Sequence, residues 1–338
     1  NTINTGGANL TASNTTTAEL VIQNGILESD ETQRLMLINP GNVIFQNMRL
    51  QDGFAADGGG FYIQDGGELT LINSIMTNNR GELGAAIQNR SGTLTLTNST
   101  ISGNTAESYG GGIYNDSGTV TLTNSTISSN SANFGGGIYN DSGTVTLTNS
   151  IIAHQTLGAD CSGSGLITSN GYNLDSDGTC GLSSTGDIAN GTADLQPLAI
   201  TAPGTTATHA LGPNSDALDV IPVVNGSCND SGVIDDQRGV ARPQSTHCDI
   251  GAFEVRVGTV TLSKTVINDN GGTAGSNDFG LSIGATPVNS GDTLAVMANT
   301  PIVLNEAGLA GYAFVSITGD AKCPAALGGT VTLGACRI

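Results

Sequence analysis

The chain has 338 residues, a formal net charge of −19, 12% charged residues, 4% aromatic residues and no tryptophan. No Lys or Arg occurs from Ser91 through Gln237; the basic footprint that nucleic acid or anionic lipid requires is missing, and both partner classes are excluded. No run of about twenty apolar residues is present, so no membrane-spanning helix is expected.

The chain opens at Asn1 amid Thr- and Asn-rich sequence. The expectation is a trimmed product whose export leader has been removed, with residues 1–17 forming a ragged cap. A regular pattern follows. Asn47, Asn73, Asn98, Asn124 and Asn149 recur at intervals of 26, 25, 26 and 25 residues, with a weaker copy at Asn24. Four positions before each stand Val43, Leu69, Leu94, Val120 and Val145, and three positions after stand Leu50, Met76, Ile101, Ile127 and Ile152. A fixed period of this size marks stacked repeats. Within a unit such as Gly118 to Asn124 the apolar Val120 and Leu122 alternate with threonines, which is a strand pattern, and no segment carries apolar residues at helical spacing.

One lap of about 25 residues holds three short strands and three turns rich in Gly, Asn, Asp and Ser. The expected fold is all-β: a parallel β-helix over residues 1–160, in which Ile87, Ile113 and Ile138, with Phe61, fill one interior column. The five asparagines are expected to form an inward amide ladder bonding the backbone of neighbouring laps. Asn98 and Asn124 also begin N-glycosylation sequons, the competing reading. Asn79, Asn104 and Asn130 form a second polar column, expected at another turn. The glycine triplets Gly58–Gly60, Gly110–Gly112 and Gly135–Gly137 read as corners of close backbone approach, because no helix follows to make a phosphate cradle.

Regular columns fade after Ile152. Residues 161–256 carry two local cysteine pairs and turn-rich sequence, expected to cap the solenoid. Residues 257–338 restart strand alternation at Val260, Leu262, Phe279, Leu281, Ile283, Ile302 and Leu304, expected as a small, truncated β-sandwich. The six cysteines pair by proximity as Cys161 with Cys180, Cys228 with Cys248, and Cys323 with Cys336; disulfides imply an oxidising, extracellular compartment. Zinc is the alternative, but no C-x-x-C occurs and the three histidines lie far apart in sequence.

At this point the residues resemble known families. Gly110-Gly-Gly-Ile-Tyr-Asn followed by Gly-Thr-Val-Thr-Leu-Thr-Asn-Ser-Thr-Ile-Ser resembles bacterial surface proteins with right-handed parallel β-helix repeats, including those of polymorphic outer-membrane proteins. Gly171 to Asp177, Asp236 to Gly239, Arg242-Pro243 and Cys248 to Glu254 resemble the choice-of-anchor Q domain. Thr261 to Val266, Asn268 to Gly272, Glu306 and Gly311-Tyr312 resemble prealbumin-like, collagen-binding-B-type stalk domains. The resemblance implies an exported structural or adhesive protein of the bacterial cell surface. It also implies an isopeptide bond at Lys264 assisted by Glu306, whose Asn partner is expected beyond Ile338.

Carboxylates are the residues most able to carry chemistry in this sequence. A glycosidase needs two across one sugar bond; the best cluster, Asp235-Asp236, has Arg238 and Arg242 close by and reads equally as a salt-bridged cap with Asp249 and Glu254. His154, His209 and His247 look isolated from any nucleophile. Asp175 and Asp177, and Asp269 in a similar Asn-Asp-Asn-Gly segment, alternate as calcium ligands do, with an Asx turn as the other reading and the remaining ligands of a loop site absent. No enzymatic activity is expected, a polysaccharide lyase or hydrolase being the minor alternative, and no cofactor is expected, calcium being the one alternative. Tyr62, Tyr114 and Tyr139 are expected in an outer stripe interrupted by Gln88. The resulting expectation is a stalk, adhesin or filament subunit that self-associates head to tail through β-edges, or else binds a surface glycan or protein.

Overall fold

A computed structural model describes residues 2–4, 10–12, 19–223, 228, 233–269, 271–297, 301–316 and 330–332. The chain divides into two units, 1–254 and 255–338. In the first, every repeat winds one lap of a parallel coil. Thr93–Thr97, Thr119–Thr123 and Thr144–Thr148 pair in register, Leu94 beside Val120 beside Val145 and Leu96 beside Leu122 beside Leu147. Thr100–Ser102, Thr126–Ser128 and Ile151–Ala153 follow the corner and stack likewise. A second, seven-stranded sheet stacks Phe61–Ile63, Ile87–Asn89, Ile113–Asn115, Ile138–Asn140 and Cys161–Gly163. Phe61, Ile87, Ile113 and Ile138 therefore form the interior column read from the sequence, each fully buried. Each such Leu, Ile or Phe contributes about 1.5–3 kcal/mol by leaving water.

The lap corner has a specific backbone cause. Asn24, Asn47, Asn73, Asn98, Asn124 and Asn149 all adopt φ between 46° and 58°, the left-handed conformation that Asn tolerates better than other side-chain-bearing residues. The column is thus selected for bending the chain. The expected amide ladder forms elsewhere. Asn47 Nδ2 donates to Asn24 Oδ1 at 3.0 Å, but Asn98 Nδ2 donates to the Asp235 carbonyl, outside the coil. A left-handed residue turns its side chain out of the lap. After Asn73, Asn98, Asn124 and Asn149 the next residue is a serine that points inward: the N–H groups of Ser74, Ser99 and Ser125 donate to the hydroxyls of Ser99, Ser125 and Ser150, each at 3.2 Å.

Two true amide ladders occupy other corners. Asn79 Nδ2 donates to Asn104 Oδ1 and Asn104 Nδ2 to Asn130 Oδ1, both at 2.9 Å, and Asn130 Nδ2 reaches Gln155 Oε1 at 3.3 Å. Asn89, Asn115 and Asn140 repeat the arrangement at 3.1 and 2.9 Å, each also donating to a glycine carbonyl three residues on. The triplet glycines serve close approach: a Cβ on Gly112 would lie 2.6 Å from the Gly137 carbonyl oxygen of the next lap.

The coil register runs beyond residue 160, through Leu166–Ser169 and Leu174–Asp175. Residues 176–192 then lie over this last lap, with Asp175 N–H donating to the Ile188 carbonyl and Cys161 bonded to Cys180 across a Cα–Cα distance of 4.9 Å. Leu182 closes the apolar core from this end. Cys228 and Cys248 form a second disulfide.

Residues 193–223 and 233–254 lie along one flank as a strap. Thr206 Oγ1 donates to the Asn73 carbonyl, Thr100 Oγ1 to Gln237 Oε1 at 2.6 Å, Ala252 N–H to Thr126 Oγ1, and Gly251 N–H to the Asn149 carbonyl. The strap leaves Asn98 4% and Asn124 1% exposed, so both sequons are closed in the folded chain.

In the second unit Val257–Thr261 pairs antiparallel with Thr293–Met297. Gly280–Ile283 pairs with Thr286–Val288 and with Pro301–Ala307, which also pairs with Thr330–Thr332. Val260, Val296, Ile283 and Leu304 from the two sheets share one apolar cluster. The expected Cys323–Cys336 pairing and Asn270 lie outside the described residues.

Candidate functional site

The outward positions of the coil strands are mainly threonine and serine, and one area departs from that. Register places Tyr62, Gln88, Tyr114 and Tyr139 in one column, the interrupted stripe read from the sequence. Tyr109 and Phe134, which sequence reasoning missed, form a second column through a parallel bridge. Their own interval of 25 residues was the available signal. Tyr114 stacks on Tyr139 at 5.6 Å and 20°, and Tyr109 on Phe134 at 5.4 Å and 20°; Tyr109 joins the columns, its centroid 4.7 Å from Tyr139. Phe134 remains 55% exposed. Asp116 and Asp141 follow the neighbouring corner, directly after the Asn115–Asn140 ladder. Burial first, and then these two carboxylates, push the Tyr114 phenol up to about 12. Arg90, one lap away, turns its guanidinium to the Tyr62 hydroxyl at 3.3 Å.

Asp175, Asp177, Asp236 and Glu254, singled out for metal or catalysis, have definite occupations. Asp175 accepts from the Cys180 and Asn190 N–H groups at 2.8 and 2.9 Å. Asp177 accepts from Asp160 N–H and Thr179 N–H, each at 3.0 Å. Both pin the turns that close the last lap. Asp269 lies exposed in the second unit. Among the described residues no group of three or more His, Cys, Asp and Glu is placed to share a metal ion. Asp236 binds Arg238 and the Glu254 N–H, while Arg242 reaches Glu254 Oε2 at 2.9 Å and the carbonyls of Asp249 and Gly251. Arg238 also lies 3.4 Å from the centroid of the Phe253 ring. This polar core holds the strap in shape; Asp235 contributes its carbonyl to Asn98.

His209 is not isolated. Its Nε2 lies 2.8 Å from Ser102 Oγ and its Nδ1 2.8 Å from the Gln196 carbonyl. A carbonyl only accepts, so Nδ1 carries the proton and Nε2 accepts from the serine. The pair has the geometry of a nucleophile and its base, but both residues are buried, and their evident work is to tie strap to coil. Burial holds His209 below its ordinary 6.5. The unfolded chain therefore binds this proton more tightly. His209 contributes stability that is complete above 6.5 and is lost as pH falls through its folded value. Wild type and His209→Gln, compared by urea denaturation between about pH 8 and about pH 5, are expected to show a steeper acid loss in wild type. Taking the difference removes the opposite contributions of Asp160 and Glu254, which burial pushes upward.

In the second unit Lys264 Nζ meets Glu306 at 2.7 and 2.9 Å and lies 4.3 Å from the Phe279 ring centroid. Side-chain exposures of 16% and 9% make this a largely buried ion pair. Glu306→Gln is expected to lower this unit's unfolding free energy by about 1–2 kcal/mol in urea denaturation. An intact mass short by one ammonia or one water would mark a covalent bond at Lys264.

The family model described as right handed beta helix region matches residues 4–192, more than half of the chain. The chain belongs to the right-handed β-helix family. No curated protein and no solved structure matches it. The right-handed β-helix match includes the closing lap up to residue 192 and stops where the strap begins, so the strap and the second unit lie outside it.

Proposed function

We propose that this β-helix chain is a structural and adhesive module of a bacterial surface protein, working outside the cell as a non-catalytic scaffold. The observation that carries the reading is the durable build of the first unit: in-register ladders along the coil, a disulfide across the last lap and a second disulfide within the strap that clamps the flank. Disulfides persist in oxidising compartments. The choice-of-anchor Q resemblance fits a strap that finishes such a coil, and the prealbumin-like resemblance fits the two antiparallel sheets of the tail as a stalk element. The acids Asp175, Asp177, Asp236 and Glu254 support a scaffold rather than a lyase or hydrolase, because each is engaged in holding a turn or an arginine.

Beads coated with the protein are expected to adhere to bacterial or host cells, and a panel of acidic and neutral polysaccharides is expected to survive incubation with it. Release of reducing ends or unsaturated products would overturn the non-catalytic part; indifferent beads would overturn the adhesive part. Filament formation through β-edges is the finer proposal within this reading. Residues 176–192 cover the outer edge of the last lap, so such joining uses another edge. Electron microscopy over a concentration series checks it: filaments support it, and dispersed single particles at all concentrations remove it.

A further inference from the structure

The aromatic columns carry an inference that rests on the adhesive reading. We propose that Tyr109, Tyr114, Phe134 and Tyr139, with the carboxylates of Asp116 and Asp141, form a binding face for a glycan bearing free amino groups.

Packing of the rings on one another accounts for the Tyr114–Tyr139 pair, which the coil register brings together in any case. It does not account for Phe134. That ring covers one face with Tyr109 and leaves more than half of its surface in water. A contiguous aromatic patch with so exposed a member marks an interaction surface. The charge around it selects the partner. Asp116 and Asp141 stand half-exposed in successive laps, on a stretch that has no cation from Ser91 through Gln237. Neither carboxylate accepts a hydrogen bond from a described residue. Arg90, hydrogen-bonded to Tyr62 and within electrostatic reach of Asp116, bounds the negative area on one side and leaves Asp141 as the carboxylate farther from any cation. Anionic ligands are repelled and cations drawn in, and an ammonium group is attracted both by the carboxylates and by the face of a tyrosine ring.

The shape of the face favours a sugar over a peptide. Strand addition needs an unpaired sheet edge, and a docked helix needs a groove. Ile113–Asn115 and Ile138–Asn140 each have a partner strand on both sides. What remains is a surface of rings flanked by acids, on which a pyranose lays its apolar C–H face while its amino group meets Asp116 or Asp141.

The test titrates the intact protein with fully deacetylated chitohexaose, followed by calorimetry and by tyrosine fluorescence. Fluorescence is well suited because the chain has no tryptophan and three of its six tyrosines lie in the patch. Saturable binding is expected, weakened about tenfold by Phe134→Ala and by Asp141→Asn, with circular dichroism unchanged. N-acetylchitohexaose, whose rings are the same but uncharged, is expected to bind at least about tenfold more weakly. Equal binding of the two oligosaccharides, or equal binding by the variants, would overturn the proposal. So would binding of an arginine- and proline-rich peptide in place of the hexamer, which would make the partner a protein. Adhering beads with no hexamer binding would remove this site and leave the adhesive reading standing; failure of both would remove both.

Discussion

Asn104→Leu is expected to lower the unfolding free energy of the first unit by about 3–6 kcal/mol, because each buried polar group left unpaired costs about 1–3 kcal/mol. Asn104 Oδ1 accepts both the backbone N–H and the side-chain amide of Asn79, at 3.0 and 2.9 Å, and Asn104 Nδ2 supplies the Met76 carbonyl and Asn130 Oδ1. All four contacts are buried, and leucine offers none of them. The contrasting variant is Asn124→Gly. Asn124 is at φ 46°, and neither of its amide atoms has a described partner. Glycine adopts that conformation freely, so a change of no more than about 1 kcal/mol is expected, whereas Asn124→Val places a β-branched residue there and costs about 1–3 kcal/mol. Urea denaturation monitored by circular dichroism measures all three. If Asn124→Gly were as damaging as Asn104→Leu, the assignment of corner and ladder roles would be wrong.

The second large effect is expected in the strap. Arg242→Met leaves Glu254 buried without its cation, a loss of about 3–5 kcal/mol for a pair of this kind. It also removes the donors to the Asp249 and Gly251 carbonyls, and Gly251 and Ala252 are the residues that bind the strap to Asn149 and Thr126. The double variant Arg242→Met/Glu254→Gln is expected to recover part of the loss, since it removes the stranded charge. Hydrogen exchange resolves where the damage falls. Amides of 193–254 should exchange early while those of Thr119–Thr123 stay protected, as expected when a locally opened segment leaves the main core intact. Uniform loss of protection across coil and strap would sink this account.

The coil was legible in the sequence because it repeats: Val120 and Leu122 recur as Val145 and Leu147, and each column is buried in register. Roles within a column were harder to read. Asn124 and Asn130 are both periodic asparagines, and only the sign of φ separates a corner residue from a ladder residue. Ser74, Ser99, Ser125 and Ser150, each directly after a corner asparagine, were periodic too, but nothing in their spacing showed that the hydroxyl turns inward. The strap was not legible. Thr100 meets Gln237, and Ser102 meets His209, across more than a hundred residues, and neither partner belongs to a repeat. Local cysteine spacing found Cys161–Cys180 and Cys228–Cys248 because both loops are short.

The strap bears on how such a chain lengthens over evolutionary time. Solenoids extend by tandem duplication, since each unit needs only its two neighbours. Between Asn73 and Asn149, however, one continuous polypeptide is anchored to four successive laps. An inserted unit there would pull those anchors apart by about 4.8 Å, the spacing between adjacent strands, more than a hydrogen bond can stretch. Copy number is therefore fixed across that stretch, and tandem gains or losses in relatives should fall ahead of Asn47 instead.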